Sequence, residues 1–256
     1  MFGIGIGVGI GRQRFGGFDA DYQAVLNYAT TQGYTLPSAA QQVKQNKLVV
    51  DLKAAGAWSK LDTFAMFAND GGSNFALIDW KRLSLYTAVN SPTFTTNQGF
   101  TGNGTSSYID TNFNPATSGT NYVLNDASRY YMHFLGTGGI VDGVDLAGAI
   151  QALTLGNSAA QRINSTNALN SAFVYSTTKG VKSIHRTSST DVSLYNDKVG
   201  ATRTETSTTI SSNNQFVLRR FNNYSANQSW GYAMGASLVA ENDAFVDALD
   251  TYINSL

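Results

Sequence analysis

Apolar residues follow three different patterns along this 256-residue chain. In residues 1–17, Ile4, Ile6, Val8 and Ile10 alternate with Gly3, Gly5, Gly7, Gly9 and Gly11. Period-two alternation is a strand pattern. One face of that strand carries every apolar side chain and the other is bare backbone, which another backbone can approach closely. Glycine loses the most entropy on ordering, so the segment needs a partner surface to hold it. Three readings stay open. It is an edge strand of the chain's own sheet, an anchor that joins a neighbouring protein by strand augmentation through Ile4, Ile6, Val8 and Ile10, or a disordered arm.

Residues 18–64 read as a helical preface. Tyr22, Val25, Leu26 and Ala29 keep the i, i+3, i+4, i+7 spacing of a helix face, and Gly33 is a stop. Ser38, after Pro37, is placed to cap a second helix running through Val43, Leu48, Val49 and Leu52 to Gly56. Trp58, Leu61 and Phe64 suggest a short third turn. Residues 65–256 read as β structure closed by a helix. Turn clusters such as Asn69-Asp70-Gly71-Gly72, Gly102-Asn103-Gly104, Asn196-Asp197, Asn213-Asn214 and Asn222-Asn223 separate short strand-like runs. Those runs include Ser107–Thr111, Arg129–Leu135, Lys182–Thr187, Asp191–Tyr195, Gln215–Arg219 and Trp230–Met234. No helices alternate with them, so the pattern predicts a mainly β, antiparallel sandwich or barrel. In the closing helix, Phe245, Leu249, Tyr252, Ile253 and Leu256 share a face that excludes Asp243, Asp247 and Asp250.

Composition narrows the function. Lys and Arg number 17, Asp and Glu 17, so the net charge is zero and no basic footprint for nucleic acid exists. Charged residues make up only 13% of the chain, about half the usual share, and Ser, Thr, Asn and Gly take their place. With no cysteine there is no disulfide, thiol nucleophile or thiolate metal site. No apolar run is long enough for a membrane span, which takes roughly 18 residues. Arg12 and Arg14 follow the apolar start instead of preceding it, so a signal peptide is not expected.

Motifs for chemistry are weak. The Gly-rich start fails the G-x-G-x-x-G register because Val8 stands at the third glycine position. Gly156-Asn157-Ser158-Ala159-Ala160 falls short of a nucleophile elbow. The two histidines, His133 and His185, sit inside strand-like runs with few partners in view and read as satisfied core or surface residues.

Three passages together resemble the concanavalin-A-like lectin/glucanase superfamily in its laminin-G-like form. They are Gly99–Thr111 with Phe113-Asn114-Pro115, the Ser183–Asn196 hairpin, and Gly235-Ala236-Ser237-Leu238 with the closing helix. The resemblance implies a two-sheet antiparallel jelly roll. Together with the preface, Asp19–Asp21 and Leu48–Asp62, it is similar to a domain organisation of tailed-bacteriophage structural proteins. That resemblance implies a non-enzymatic virion component, part of a head or tail fibre or decoration, assembled in the host cytoplasm. Its implied partners are other virion proteins and further copies of itself, with no nucleic acid or membrane among them.

The superfamily includes glucanases, and hydrolysis would need two carboxylates flanking the bond. Glu205 and Glu241 are the only glutamates. Asp142 and Asp145 are three apart, which is wrong for one strand face. Glu241, at the start of the last helix, reads as an offset to the helix dipole. No catalytic residue is expected. Asp142-Gly143-Val144-Asp145 and Asn196-Asp197 read as turns more readily than as calcium ligands, so no metal or cofactor is expected. The alternative function is an adhesin module for host-surface glycans. Trp80, Tyr108, Tyr122, Trp230, Tyr224 and Asn223 have the right chemistry for it, although most sandwich aromatics belong to the core.

Overall fold

Asp19 and Ser38 open the two N-terminal helices by the same device. Asp19 Oδ1 accepts from the Asp21 N–H at 3.0 Å and Ser38 Oγ from the Gln41 N–H at 3.3 Å, each using a donor that the first helical turn leaves over. In this computed structural model, which describes residues 17–144, 150–156, 161–169 and 172–256, helix α1 spans Ala20–Thr31 and α2 Ala39–Ala54. Ile4, Ile6, Val8, Ile10, Asp145 and Ser158 lie outside the described residues.

Helix α1 buries the expected face, Tyr22, Val25, Leu26 and Ala29. Helix α2 buries Leu48, Val49 and Leu52, but Val43 is 60% exposed. Gln41 and Gln45 take inward positions instead, because the Tyr252 hydroxyl accepts from both their amides at 2.9 and 3.1 Å. The expected third turn of helix stops after Trp58–Lys60. Leu61–Met66 is strand β1, paired with the last strand. Gly235 permits that pairing, since a Cβ there would stand 2.1 Å from the Lys60 carbonyl oxygen. Tertiary pairing overrides the local helix signal.

A one-turn helix α3 (Ser73–Ala76) leads to β2 (Ile78–Asp79), β3 (Ser84–Leu85), β4 (Thr87–Val89), β5 (Thr93–Thr95), β6 (Gly99–Thr101) and β7 (Tyr108–Asp110). Helix α4 (Pro115–Ser118) precedes β8 (Ala127–Leu135), β9 (Gly139–Val144), β10 (Gln151–Leu155), β11 (Arg162–Ile163), β12 (Gly180–Arg186), β13 (Asp191–Asn196) and β14 (Val199–Thr204). The chain continues through β15 (Gln215–Val217), β16 (Arg219–Arg220), β17 (Asn223–Tyr224) and β18 (Gln228–Gly235) to helix α5 (Asn242–Ile253). One sheet runs β14-β13-β12-β8-β18-β6-β5, with β1 also on β18; the other runs β11-β10-β9-β15-β7-β4. The pairings between these strands are antiparallel, and the protein is a mainly β sandwich with small N-terminal helices and a C-terminal helix.

The larger sheet is covered on both faces. Tyr130, Met132, Trp230 and Ala233 join the helices in one core with Val25, Leu52, Phe245 and Leu249. Tyr131, Ile184, Tyr232 and Met234 face the second sheet and meet Ile109, Val141, Leu153 and Val217. Successive strand residues point to opposite faces, so β8 is buried from Ala127 to His133.

A charge pair lies between the sheets. Arg129 Nη1 stands 3.0 Å from Asp142 Oδ1, with both side chains fully buried. Burial pushes the Asp142 carboxyl up, and the Arg129 guanidinium draws it back. The expectation of a turn at Asp142-Gly143 is therefore corrected. Both residues belong to β9, because Arg129 holds the carboxylate inward and Gly143 leaves room for a side chain on the outer face. Asn196-Asp197, by contrast, leads into the β13–β14 turn, with Asp197 at φ 54°.

Candidate functional site

The outer face of the smaller sheet carries the candidate site. On β7, Ile109 points into the core while Tyr108 and Asp110 point outward. Register places Asp110 beside Phe216 of β15, and Phe216 beside Gly143 of β9. After β15 the chain takes a positive φ at Leu218, 67°, and reverses into the β16–β17 ribbon. That ribbon lies against β9, with the Leu218 N–H bound to the Val141 carbonyl and the Phe221 N–H to the Val144 carbonyl.

Arg219 fixes the ribbon in place. Its guanidinium carbon lies 4.5 Å from the ring centre of Tyr108, 4.8 Å from Phe216 and 5.3 Å from Tyr224. Its Nε donates to the Phe221 carbonyl at 2.7 Å. Tyr108 meets Phe216 edge-on at 5.0 Å and Tyr224 at 6.1 Å. Cation–π attraction and ring packing thus assemble an aromatic group from three separate parts of the chain, with Tyr108 and Tyr224 part-exposed and Phe216 buried.

Beside it is an open depression of about 390 Å³ lined by Asp110, Asn114, Ser212, Asn213, Asn214 and Phe216. Local bonds set these side chains. Asp110 Oδ1 accepts from the Asn112 N–H at 2.8 Å, and its Oδ2 accepts from Asn214 Nδ2 at 3.3 Å. Asn114 Oδ1 caps α4 through the Ala116 N–H, and its Nδ2 donates to the Ser212 carbonyl at 2.6 Å. A carboxylate accepts, an amide both donates and accepts, and a hydroxyl does either. Such groups can hydrogen-bond further hydroxyls, and the largely buried Phe216 ring borders them.

The sequence candidates divide between this face and the core. Tyr108, Tyr224 and Asn223 lie on the face or its ribbon. Trp80, Tyr122 and Trp230 are buried and are corrected to core residues. Trp80 packs on Tyr22 and Phe64, Tyr122 donates to Asn164 Oδ1 at 2.8 Å, and Trp230 Nε1 donates to the His133 carbonyl at 2.9 Å. Sequence reading missed Asp110, Asn114, Asn214 and Phe216 as a group. The Asn213-Asn214 turn signal was visible, but its partner Asp110 lies 104 residues away.

Both histidines and both glutamates weighed for chemistry have structural partners. His185 is buried, with Nδ1 accepting from the Leu238 N–H at 3.2 Å and Nε2 bonded to Ser183 Oγ at 2.9 Å. Burial lowers its pKa from 6.5 to about 3. His133 is lowered to about 4 by burial, and its Nε2 contacts the Thr177 carbonyl at 2.9 Å. Glu205 accepts from Ser165 and Asn167, and Glu241 pairs with Lys60 at 2.7 Å. No cluster of three or more His, Asp or Glu suited to a metal occurs among the described residues. No helix among them is long and apolar enough to cross a membrane.

No protein-family model matches the chain, and no curated protein does so. Solved structures do. Trypanosoma rangeli sialidase in complex with sialic acid superposes with a TM-score of 0.50 at 13% identity, over 76% of this chain and 34% of that one. A mutant of the same sialidase displaying trans-sialidase activity gives 0.51 at 14% identity, over 90% and 38%. The likeness is one of fold. This chain spans little more than a third of the length of those sialidases. The receptor binding domain of botulinum neurotoxin C/D mosaic serotype, at a TM-score of 0.47 and 8% identity over 75% and 51%, adds nothing to that assignment.

Proposed function

We propose that this chain is a non-catalytic glycan-binding module built on a concanavalin-A-like jelly roll. The observation that carries the reading is the depression at Asp110, Asn114 and Asn214 against Phe216. Carboxylate, amide and hydroxyl groups converge there with one aromatic edge, a set that can hydrogen-bond the hydroxyls of a sugar while the ring meets its apolar side. Binding without hydrolysis is favoured because the depression holds one carboxylate, Asp110, where glycoside hydrolysis commonly uses two. The test is a glycan array probed with the intact protein and with Asp110→Ala. The wild type is expected to bind a defined set of sugars and the variant to lose them. Binding that survives unchanged in Asp110→Ala places the site elsewhere and removes this reading.

The second reading concerns where such a module works. We propose that it is displayed on a virion, joined to other virion proteins or to further copies of itself through Ile4, Ile6, Val8 and Ile10. Supporting it is β14, a terminal strand with no further strand partner among the described residues and with Val199 74% exposed. Such an edge accepts an added strand. Display and glycan binding are compatible roles for one chain.

A further inference from the structure

Arg220 stands on the flank of the β16–β17 ribbon opposite Arg219, as successive strand residues do. Its stem lies on Gly143, where a Cβ would come within 2.7 Å of Arg220 Cγ and 2.8 Å of its Cβ. Gly143 is therefore the gap in the outer face that seats this side chain. Two strands further, Ala152 pairs with Gly143 and Arg162 with Ala152, which brings Arg162 into the same row. Arg162 Nε donates to the Thr166 carbonyl at 3.3 Å, while Arg220 Nε is buried with no hydrogen-bond partner among the described residues. Neither guanidinium has a carboxylate within ion-pair distance among the described residues. Burial first, then the neighbouring Arg162 and Arg129, depress the Arg220 pKa.

We propose that Arg162 and Arg220 form an anion subsite that takes the carboxylate or sulfate of an acidic sugar whose neighbouring residue occupies the Asp110–Asn214 depression. This rests on the glycan-binding reading and names its ligand class. The two places adjoin: Phe216, which lines the depression, pairs directly with Gly143 beneath Arg220. Adjacent strands lie about 5 Å apart, so one short oligosaccharide reaches both. A guanidinium suits the task because its planar fork meets carboxylate or sulfate oxygens two at a time.

The experiment uses an array carrying uronic-acid oligosaccharides, the same oligosaccharides as methyl esters, and sulfated and unsulfated versions of a neutral series. It is probed with the full chain, with Arg220→Met and with Arg162→Met. Methionine keeps an apolar stem over Gly143 and removes the charge. The wild type is expected to prefer the anionic member of a pair by about tenfold, one charge-assisted bond's worth. Each variant should erase that preference while neutral binding remains, and the preferred arm tells carboxylate from sulfate. Equal binding of charged and neutral members, unaltered by either variant, overturns the subsite and leaves the glycan reading standing. Absence of binding to every sugar overturns both.

Discussion

The guanidinium of Arg219 lies 4.5 Å from the ring centre of Tyr108, on a ribbon that reaches the ring only by doubling back over the sheet. Their contact couples the shape of the outer face to one residue. Arg219→Ala should cost about 2–3 kcal/mol, from cation–π terms of roughly 0.5–2 each over three rings. Arg219→Lys should recover part of it. Chemical denaturation measures the cost. Hydrogen exchange at residues 219–224 should show the ribbon opening while β8 stays protected. An unchanged ribbon in Arg219→Ala means that backbone bonds alone hold it.

Arg129 and Asp142 make the opposite kind of contact, a charge pair sealed from solvent between the sheets. Removing one partner leaves an uncompensated buried charge, at about 3–5 kcal/mol. Asp142→Leu and Arg129→Met should each show that loss in urea denaturation. The double variant should lose less than either single one. A double variant as unstable as the sum of the two singles contradicts the coupling.

Stability should fall in mild acid. His185 Nδ1 already accepts the Leu238 N–H, so a proton there would set two donors face to face. Its folded-state pKa of about 3 lies below the ordinary 6.5, so the unfolded chain takes up the proton first. The contribution is complete above pH 6.5 and is lost as pH drops toward 3, and His133 acts alike down to about 4. Each histidine adds a slope of somewhat over ~1 kcal/mol per pH unit in that window. His185→Gln can keep both hydrogen bonds without titrating. It should flatten the slope measured by denaturation from pH 7 to 5, and an equal slope in both proteins refutes the assignment.

Much of this was visible in the sequence where a pattern meets a single surface. The faces of α1 and α5 were legible because one side packs and the other is solvated: Phe245, Leu249 and Tyr252 are buried, Asp243 and Asp247 exposed. Strand β8 was legible as a run, but not its environment. Helices cover one of its faces and a sheet the other, which erases the alternation that would have told them apart. Trp80 and Trp230 illustrate the limit of residue chemistry, since an aromatic suited to a sugar is equally suited to a core. The depression was out of reach because Asp110 and Asn214 meet only through the pairing of β7 with β15.

The assembly reading is tested by removing residues 1–17. Light scattering should find the full chain self-associated and the shortened chain monomeric, with thermal unfolding of the sandwich nearly unchanged. A shortened chain that no longer folds would make that segment a strand of the chain's own sheet instead.

The central claim, a sugar seated on Asp110, Asn114 and Asn214, is read most directly by NMR of the asparagine side-chain amides during titration with an array-selected oligosaccharide. The NH₂ resonances of Asn114 and Asn214 are predicted to shift and saturate together, and Asp110→Ala should abolish the response. Shifts that saturate elsewhere, such as at Asn46 or Asn254 on the helical layer, with Asn114 and Asn214 unmoved, would contradict the claim.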